Sequence, residues 1–394
     1  MRDQVAEILA DVRRRGDEAV RDYTERFDKA ELGPDELRVD SRELEASIGV
    51  LEPNVIDALR TAIANVRAVA KAQLCDPVAV ELPQGQRVEV VELPVGRVGV
   101  YVPGGRAAYP STVVMCAVTA RVAGVQQIAV CAPPGPGGRA HPAILAACVL
   151  CEVSEVYRVG GAQAIAALAY GTQTVPAVDV IVGPGNAWVT EAKRQVFGQV
   201  GVDGLAGPSE LVVLASSGAS ADLIALDLLA QAEHGEDSPV WLISPDRELI
   251  QTVSVEVERL AAERPTIGKV ALEAIAVDSL AEALARAEQI APEHLELVGP
   301  DAEELADRVT RAGCLFVGPG AGTAFGDYVA GSNHVLPTGG AARFQSALSP
   351  ATFRRRMARV SLPGEAAARR APAGAALARA EGFPVHAESM ERRA

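Results

Sequence analysis

Histidine is scarce in this chain, with five residues in 394. Aromatic residues make up only 4%. No apolar run reaches roughly 18 residues, the length that crosses a bilayer, so no membrane partner is expected. Positive charge is in deficit: 37 Lys and Arg stand against 51 Asp and Glu, for a net charge of −14. A nucleic-acid backbone is held by a concentrated basic face, so this balance argues against that partner. The local run "FRRRMAR" (Phe353 to Arg359) reads as a solvated helix face. The opening "MRDQVAEILADVRRRGDEAV" has the spacing and mixed charge of an amphipathic helix and lacks the form of a secretory signal, which implies a cytoplasmic protein.

Cysteine is also sparse. The six thiols (Cys75, Cys116, Cys131, Cys148, Cys151, Cys314) sit mostly inside apolar runs. Cys148 and Cys151 form a C-x-x-C, but no second pair follows at zinc-site spacing, so buried free thiols are expected.

What is present is ordinary globular material, 49% hydrophobic and 22% charged, long enough for two domains. Residues 1 to about 75 carry apolar spacings of three and four, the mark of helices. "RVEVVELPVGRVGVYVPGG" then alternates as strands do. "QIAVCAP", "EVYRVGG" and "DVIVGPG" follow as short apolar strands between helices such as "STVVMCAVTARVAGV" and "AQAIAALAYGT". The alternation resumes at "ELVVLAS", "PVWLISP" and "CLFVGPG". Such units imply parallel sheets, and the predicted class is α/β: two Rossmann-like domains plus a small helical C-terminal extension. The expected bounds are 1–100 with 211–348 for a discontinuous first domain, 101–210 for the second, and 349–394 for the extension. The extension is too short for its own core, so it packs on the body or on a partner subunit.

Three glycine turns follow strands: "VPGGRAAYPST", "VGGAQAI" and "VGPGNAWVTEAKR". Glycine lets backbone N–H groups approach a phosphate, yet none of the three has the G-x-G-x-x-G spacing. Singly each is an ordinary connection; together, at the ends of neighbouring strands, they predict a ligand crevice.

Four of the five histidines have acids or amides close by. Gln231 and His234 lie three apart near the end of a helix and can reach one cation, or His234 is simply a helix-end residue favoured by the dipole. Glu293 and His294, in "APEHLEL", are placed for proton transfer, with an exposed loop pair as the equal alternative. "GDYVAGSNHVLPT" holds Asp327 and His334 in a segment that suits neither helix nor strand, and "AEGFPVHAES" carries Glu381 and His386 near a terminus that otherwise reads as a frayed tail. His141 has no acid nearby.

These motifs, with "GRVGVYVPGG", "GGAQAIAALAYGT", "GPGNAWVTEAKRQV", "AGPSELVVLA" and "DLLAQAEHGEDS", resemble the histidinol dehydrogenase family, in order and over nearly the whole chain. The resemblance implies a zinc-dependent, NAD-linked oxidation of L-histidinol to L-histidine through the aldehyde, by a homodimer with shared active sites. It implies one zinc per subunit, held by Gln231, His234, Asp327 and His386, which thereby also meet the substrate. Glu293 and His294 are then the acid/base pair, Ser209, His334 and Glu381 substrate contacts, and Tyr101, Gln163 and Asn186 NAD contacts. Metal and catalytic residues would fall in the first domain and NAD in the second.

Two departures from the family pattern stand out. The chain starts within the first family helix, which bears on the extent of the dimer. Thr323 stands where relatives commonly have glutamate, which is expected to alter polar contact near the substrate. Two rival readings remain open: a related zinc and NAD dehydrogenase of another alcohol, such as a sulfonated propanediol, and a non-catalytic paralogue.

Overall fold

The computed structural model describes residues 1–104, 108–135, 137–264, 267–268 and 270–394. Contacts divide the chain into two compact units, one of Met1–Gln73 with Gly96–Phe353 and one of Leu74–Val95 with Arg354–Ala394. This differs from the expected bounds, which left 1–100 in one piece.

Leu74–Val95 contributes β1 (Val78–Glu81) and β2 (Arg87–Pro94). The larger unit follows with β3 (Arg97–Tyr101), β4 (Gln127–Ala132), β5 (Glu155–Arg158), β6 (Val180–Val182) and β7 (Gly201–Val202). It continues with β8 (Leu211–Ala215), β9 (Pro239–Ser244), β10 (Ala271–Ala276), β11 (His294–Val298) and β12 (Cys314–Val317); β13 (Arg354–Ser361) belongs to the smaller unit.

The larger unit opens with helices Arg2–Arg15, Asp17–Asp28, Ser41–Ala46 and Pro53–Ala72. In the first, Val5, Ile8, Leu9 and Val12 are buried, the one-sided stripe that spacings of three and four produce. Two five-stranded parallel sheets follow, ordered β5-β4-β3-β6-β7 and β10-β9-β8-β11-β12. Numbered within each sheet, both read 3-2-1-4-5, so the two layers share one winding, as the sequence pattern predicted.

Every residue of β8 and of β11 is buried, because helices cover both faces. Alternation sorts the core: Leu211, Val213, Ala215 and Val298 pack with Ile224 and Leu228 of helix Ala221–Ala232, while Val212, Leu214, Leu295 and Leu297 pack with Ala283 and Ala287 of helix Leu280–Ile290. His294 and Glu296 share the face of Val298, and so look toward helix Ala221–Ala232.

The smaller unit holds the antiparallel sheet β1-β2-β13. Its β13 corrects the reading of Phe353–Arg359 as a helix face: Arg354–Ser361 pairs with β2 along its length, and Arg356 Nε donates to Glu92 Oε1 at 2.9 Å. An arginine-rich segment without an apolar stripe gains more from cross-strand partners than from a helix with nothing to bury. Helices Gly364–Ala380 and Pro384–Glu391 complete the unit around Ala375, Ala378 and Ala387. A Cβ at Gly374 would come within 2.4 Å of Met390 Sδ, so a larger residue there would displace that flexible side chain.

Among the described residues Cys116, Cys131, Cys148 and Cys151 are buried as expected, whereas Cys75 is exposed. No helix among the described residues is long and apolar enough to cross a membrane.

Candidate functional site

Three of the four histidines of the larger unit, His234, His294 and His334, converge at the amino ends of the second sheet, while His141 caps helix Pro142–Leu150 and lines a different cavity. His294 begins β11, and Glu293 occupies the bend just before it, which lets two adjacent side chains approach one cavity. His294 Nδ1 lies 3.1 Å from the Glu210 carbonyl oxygen. A carbonyl only accepts, so Nδ1 carries the hydrogen and Nε2 is the open nitrogen. That nitrogen is 3.9 Å from Asp327 Oδ1, and Asp327 Oδ2 is 3.9 Å from His234 Nε2. His334 Nδ1 donates to the Asp327 carbonyl at 2.9 Å, which fixes its tautomer in the same way.

Behind them runs a chain of hydrogen bonds. Gln231 Nε2 donates to Ser209 Oγ at 2.7 Å, and Ser209 Oγ donates to Glu293 Oε2 at 2.5 Å. The Glu210 N–H adds a bond to the same oxygen at 3.0 Å. Gln231 is 2% exposed, and its Oε1 is buried with no partner. Ser209, His234, Glu293, His294, Asp327 and His334 line a cavity of about 740 Å³. Gln231 sits one layer back.

The electrostatics set the two adjacent groups apart. Burial pushes Glu293 up to about 8, against the opposing bonds from Ser209 and Glu210. Burial pulls His294 down to about 4 and lowers His334 as well. The carboxylate of Asp327 raises His234. Burial acts to raise Asp327 itself, but the nearness of His234, His294 and His334 prevails and holds it below the usual carboxylate range. At neutral pH, then, the acid of the pair holds its proton and the imidazole is a free base, an arrangement suited to moving protons in both directions.

A second cavity, of about 1200 Å³, lies at the carboxyl ends of the first sheet. Tyr101 ends β3, Gln163 lies in helix Gly161–Tyr170, and Asn186 caps helix Ala187–Val196 by accepting from the Trp188 and Val189 N–H groups. Tyr101 Oη accepts from the Gly161 N–H at 3.2 Å. Gln163 is 1% exposed, yet neither of its side-chain polar atoms has a partner. Gly104 and Asn186 line both cavities, so the two adjoin.

The loop at Gly183 is held by a buried ion pair. Lys193 Nζ bonds both Gly183 O and Asp203 Oδ1 at 2.6 Å, and Asp203 Oδ2 takes the Gly183 N–H. Gly183 has φ 110°, and a Cβ there would sit 2.1 Å from the Tyr101 carbonyl oxygen. Neither this pair nor Glu210, which also receives the Glu293 and Gly339 N–H groups, stood out in the sequence. The only available signal for Glu210 was its place beside Ser209 in "AGPSELVVLA".

Thr323 corrects one expectation. Its N–H and hydroxyl both donate to Glu296 Oε1, at 2.7 and 2.5 Å, and it is absent from the cavity wall. Its neighbour Gly322 approaches Asp227. Burial, with Asp227 nearby, pushes Glu296 up to about 7, and burial pushes Asp227 up to about 6. The folded chain therefore binds these protons more tightly than the unfolded one. Their contribution to stability is whole below about pH 4 and is lost as pH rises through 6 to 7. Glu296→Gln is expected to remove a decline on the order of 3 kcal/mol over that window. Urea unfolding at stepped pH checks this, and an unchanged slope in the variant contradicts it.

Glu381 and His386 lie in the smaller unit. Glu381 ends helix Gly364–Ala380, and His386 sits in helix Pro384–Glu391 with its ring 5.3 Å from that of Phe383. Both are exposed, as are Leu377, Phe383 and Val385.

Two like-wound parallel sheets with a buried acid–imidazole pair define an α/β protein with a site equipped for proton transfer. The sequence profile of the histidinol dehydrogenase family matches residues 1–394. Histidinol dehydrogenase of a Synechococcus species is 46% identical over 99% of this chain and 91% of its own length. That of Deinococcus radiodurans is 47% identical over 99% and 90%. The crystal structure of histidinol dehydrogenase from Elizabethkingia anophelis superposes with a TM-score of 0.94 at 34% identity, covering 99% of this chain and 91% of that one. The chain belongs to the histidinol dehydrogenase family, and it is an oxidoreductase of histidinol in histidine biosynthesis.

Proposed function

We propose that the chain carries out the zinc-dependent, NAD-linked, four-electron oxidation of L-histidinol to L-histidine through L-histidinal, in a homodimer whose subunits share active sites. The observation that carries this reading is the gathering of Gln231, His234 and Asp327 beside the Glu293–His294 pair. Gln231 Oε1 is a buried acceptor without a donor, which is costly unless a cation or ligand meets it. The 3.9 Å between His234 Nε2 and Asp327 Oδ2 is too long for a hydrogen bond and leaves room for a cation that both could ligate. Mixed nitrogen and oxygen donors suit zinc. Among the described residues no three His, Cys, Asp or Glu side chains form a metal-binding group by themselves, so a further ligand is needed. His386 from the partner subunit would supply it, in keeping with its exposure beside uncovered apolar residues.

When bound, zinc supplies a fixed positive charge that orients the substrate's imidazole and amine nitrogens. NAD, when bound across Tyr101, Gln163 and Asn186, supplies the hydride acceptor. The chain's own groups move the protons. His294 Nε2 takes the hydroxyl proton of the alcohol. The ionised form of Glu293, whose share grows as pH approaches its value of about 8, takes a proton from the water that adds to the aldehyde carbonyl, while the carbonyl oxygen gains a proton from solvent to complete the hydrate. His294, after releasing its first proton to solvent, takes one from that hydrate. Ser209 and His334 contact the substrate, and Glu381 of the partner subunit accepts a hydrogen bond from its cationic amine, which favours histidinol over a sulfonated diol.

The test is metal content. The purified protein is expected to hold one zinc per subunit, to lose turnover on chelation and to regain it with zinc. Asp327→Asn and Gln231→Leu should lose most of the metal. Full turnover of histidinol by metal-free protein would overturn the reading.

A further inference from the structure

We propose that Asp28 reads the adenosine ribose of the dinucleotide, accepting both of its hydroxyls and rejecting a 2′-phosphate. The inference rests on the reading above that the cavity around Gln163 takes NAD.

Asp28 closes helix Asp17–Asp28, and Lys29 then turns the chain through a left-handed conformation at φ 58°. This places Asp28 in the wall of the 1200 Å³ cavity together with Tyr101 and Gln163. Its Oδ2 is buried and has no hydrogen-bond partner. Burial alone pushes the carboxyl up to about 6, with no cation nearby to hold it down. Lys29, also in the wall, gives its Nζ to the Arg26 carbonyl at 2.8 Å. A desolvated carboxylate without a donor is unfavourable, and a ligand carrying two adjacent hydroxyls removes that penalty.

The rest of the wall indicates which ligand. Phe27 and Trp188 line the same cavity and are 47% and 37% exposed, so flat apolar faces are available to a base. Gln163 offers an unpaired amide, able to donate and accept at a base edge. Arg139 lines the wall and is exposed, where a pyrophosphate can meet it. What remains for Asp28 is a vicinal diol. A doubly charged 2′-phosphate in its place would face an unneutralised carboxylate, the device by which an acid selects NAD in other dinucleotide sites.

The full-length protein, with Asp28→Asn, Asp28→Ser and Gln163→Ala variants, is titrated with NAD⁺, NADP⁺, 5′-AMP and 2′,5′-ADP by calorimetry. Wild type is expected to prefer NAD⁺ and 5′-AMP. Both Asp28 variants should weaken NAD⁺ by about tenfold and strengthen NADP⁺ and 2′,5′-ADP, a gain that misfolding does not produce. If NAD⁺ and 5′-AMP bind and Gln163→Ala weakens them, while the Asp28 variants keep the wild-type NAD⁺/NADP⁺ ratio, the role of Asp28 is overturned and the cavity reading stands. If 5′-AMP does not bind, or binds without regard to Gln163, both are overturned.

Discussion

Replacing His294 with asparagine is expected to lower kcat for histidinol about 10²- to 10⁴-fold while leaving zinc content and substrate affinity close to those of the wild type. The open Nε2 faces the cavity, with its tautomer fixed by the Glu210 carbonyl. Burial keeps the ring neutral, so a base is ready wherever the alcohol is seated. Asparagine is similar in reach to Nδ1 and can still donate to Glu210, but it cannot take a proton. The readouts are steady-state kinetics and metal analysis. Loss of zinc together with turnover would make His294 a structural residue, and a kcat within about tenfold of the wild type would remove it from proton transfer.

Glu293→Gln should separate the two halves of the reaction. The amide oxygen can still accept from Ser209 Oγ and the Glu210 N–H, so the site keeps its shape. It cannot take a proton from water. The first oxidation is expected to proceed, and the second to slow about 10²-fold or more, so that NADH formed per histidinol falls from about two toward about one and the aldehyde can be trapped. A ratio that stays at two in the variant would assign water activation to another group.

Much of the site was legible because its chemistry is compressed into short segments. Gln231 and His234 lie on one helix end, Glu293 and His294 are adjacent, and Asp327 and His334 share one loop. The structure brings these six together with Ser209. The strands and helices of the two sheets were legible for a related reason: strands buried on both faces read as continuous apolar runs. Two strands at the sheet margins were not. β10 is partly exposed at an edge and β7 has two residues, so neither carries a pattern of its own. β13 was read as helix because its alternation is one of arginines, and what stabilises it is β2, more than 250 residues earlier in the chain.

The residues that the sequence hid act through long-range contacts. Glu210 ties the Glu293 segment to Gly339, 129 residues away from it, and Thr323 meets Glu296 where proximity to Asp327 in sequence had suggested the substrate. Asp28 lies in a helix whose spacing reports only its buried stripe. Nothing in "ERFDKA" marks which of its charges faces a cavity; that is decided by the packing of the first helices on the first sheet.

The proposed function requires two successive oxidations of one substrate with a metal in place. The most direct measurement is NADH formed per molecule of L-histidinol consumed by the purified protein, before chelation, after it, and after zinc is returned. Two NADH per histidinol, lost on chelation and restored by zinc, is the predicted result. One NADH with release of the aldehyde, or two NADH undiminished by removal of the metal, would contradict it.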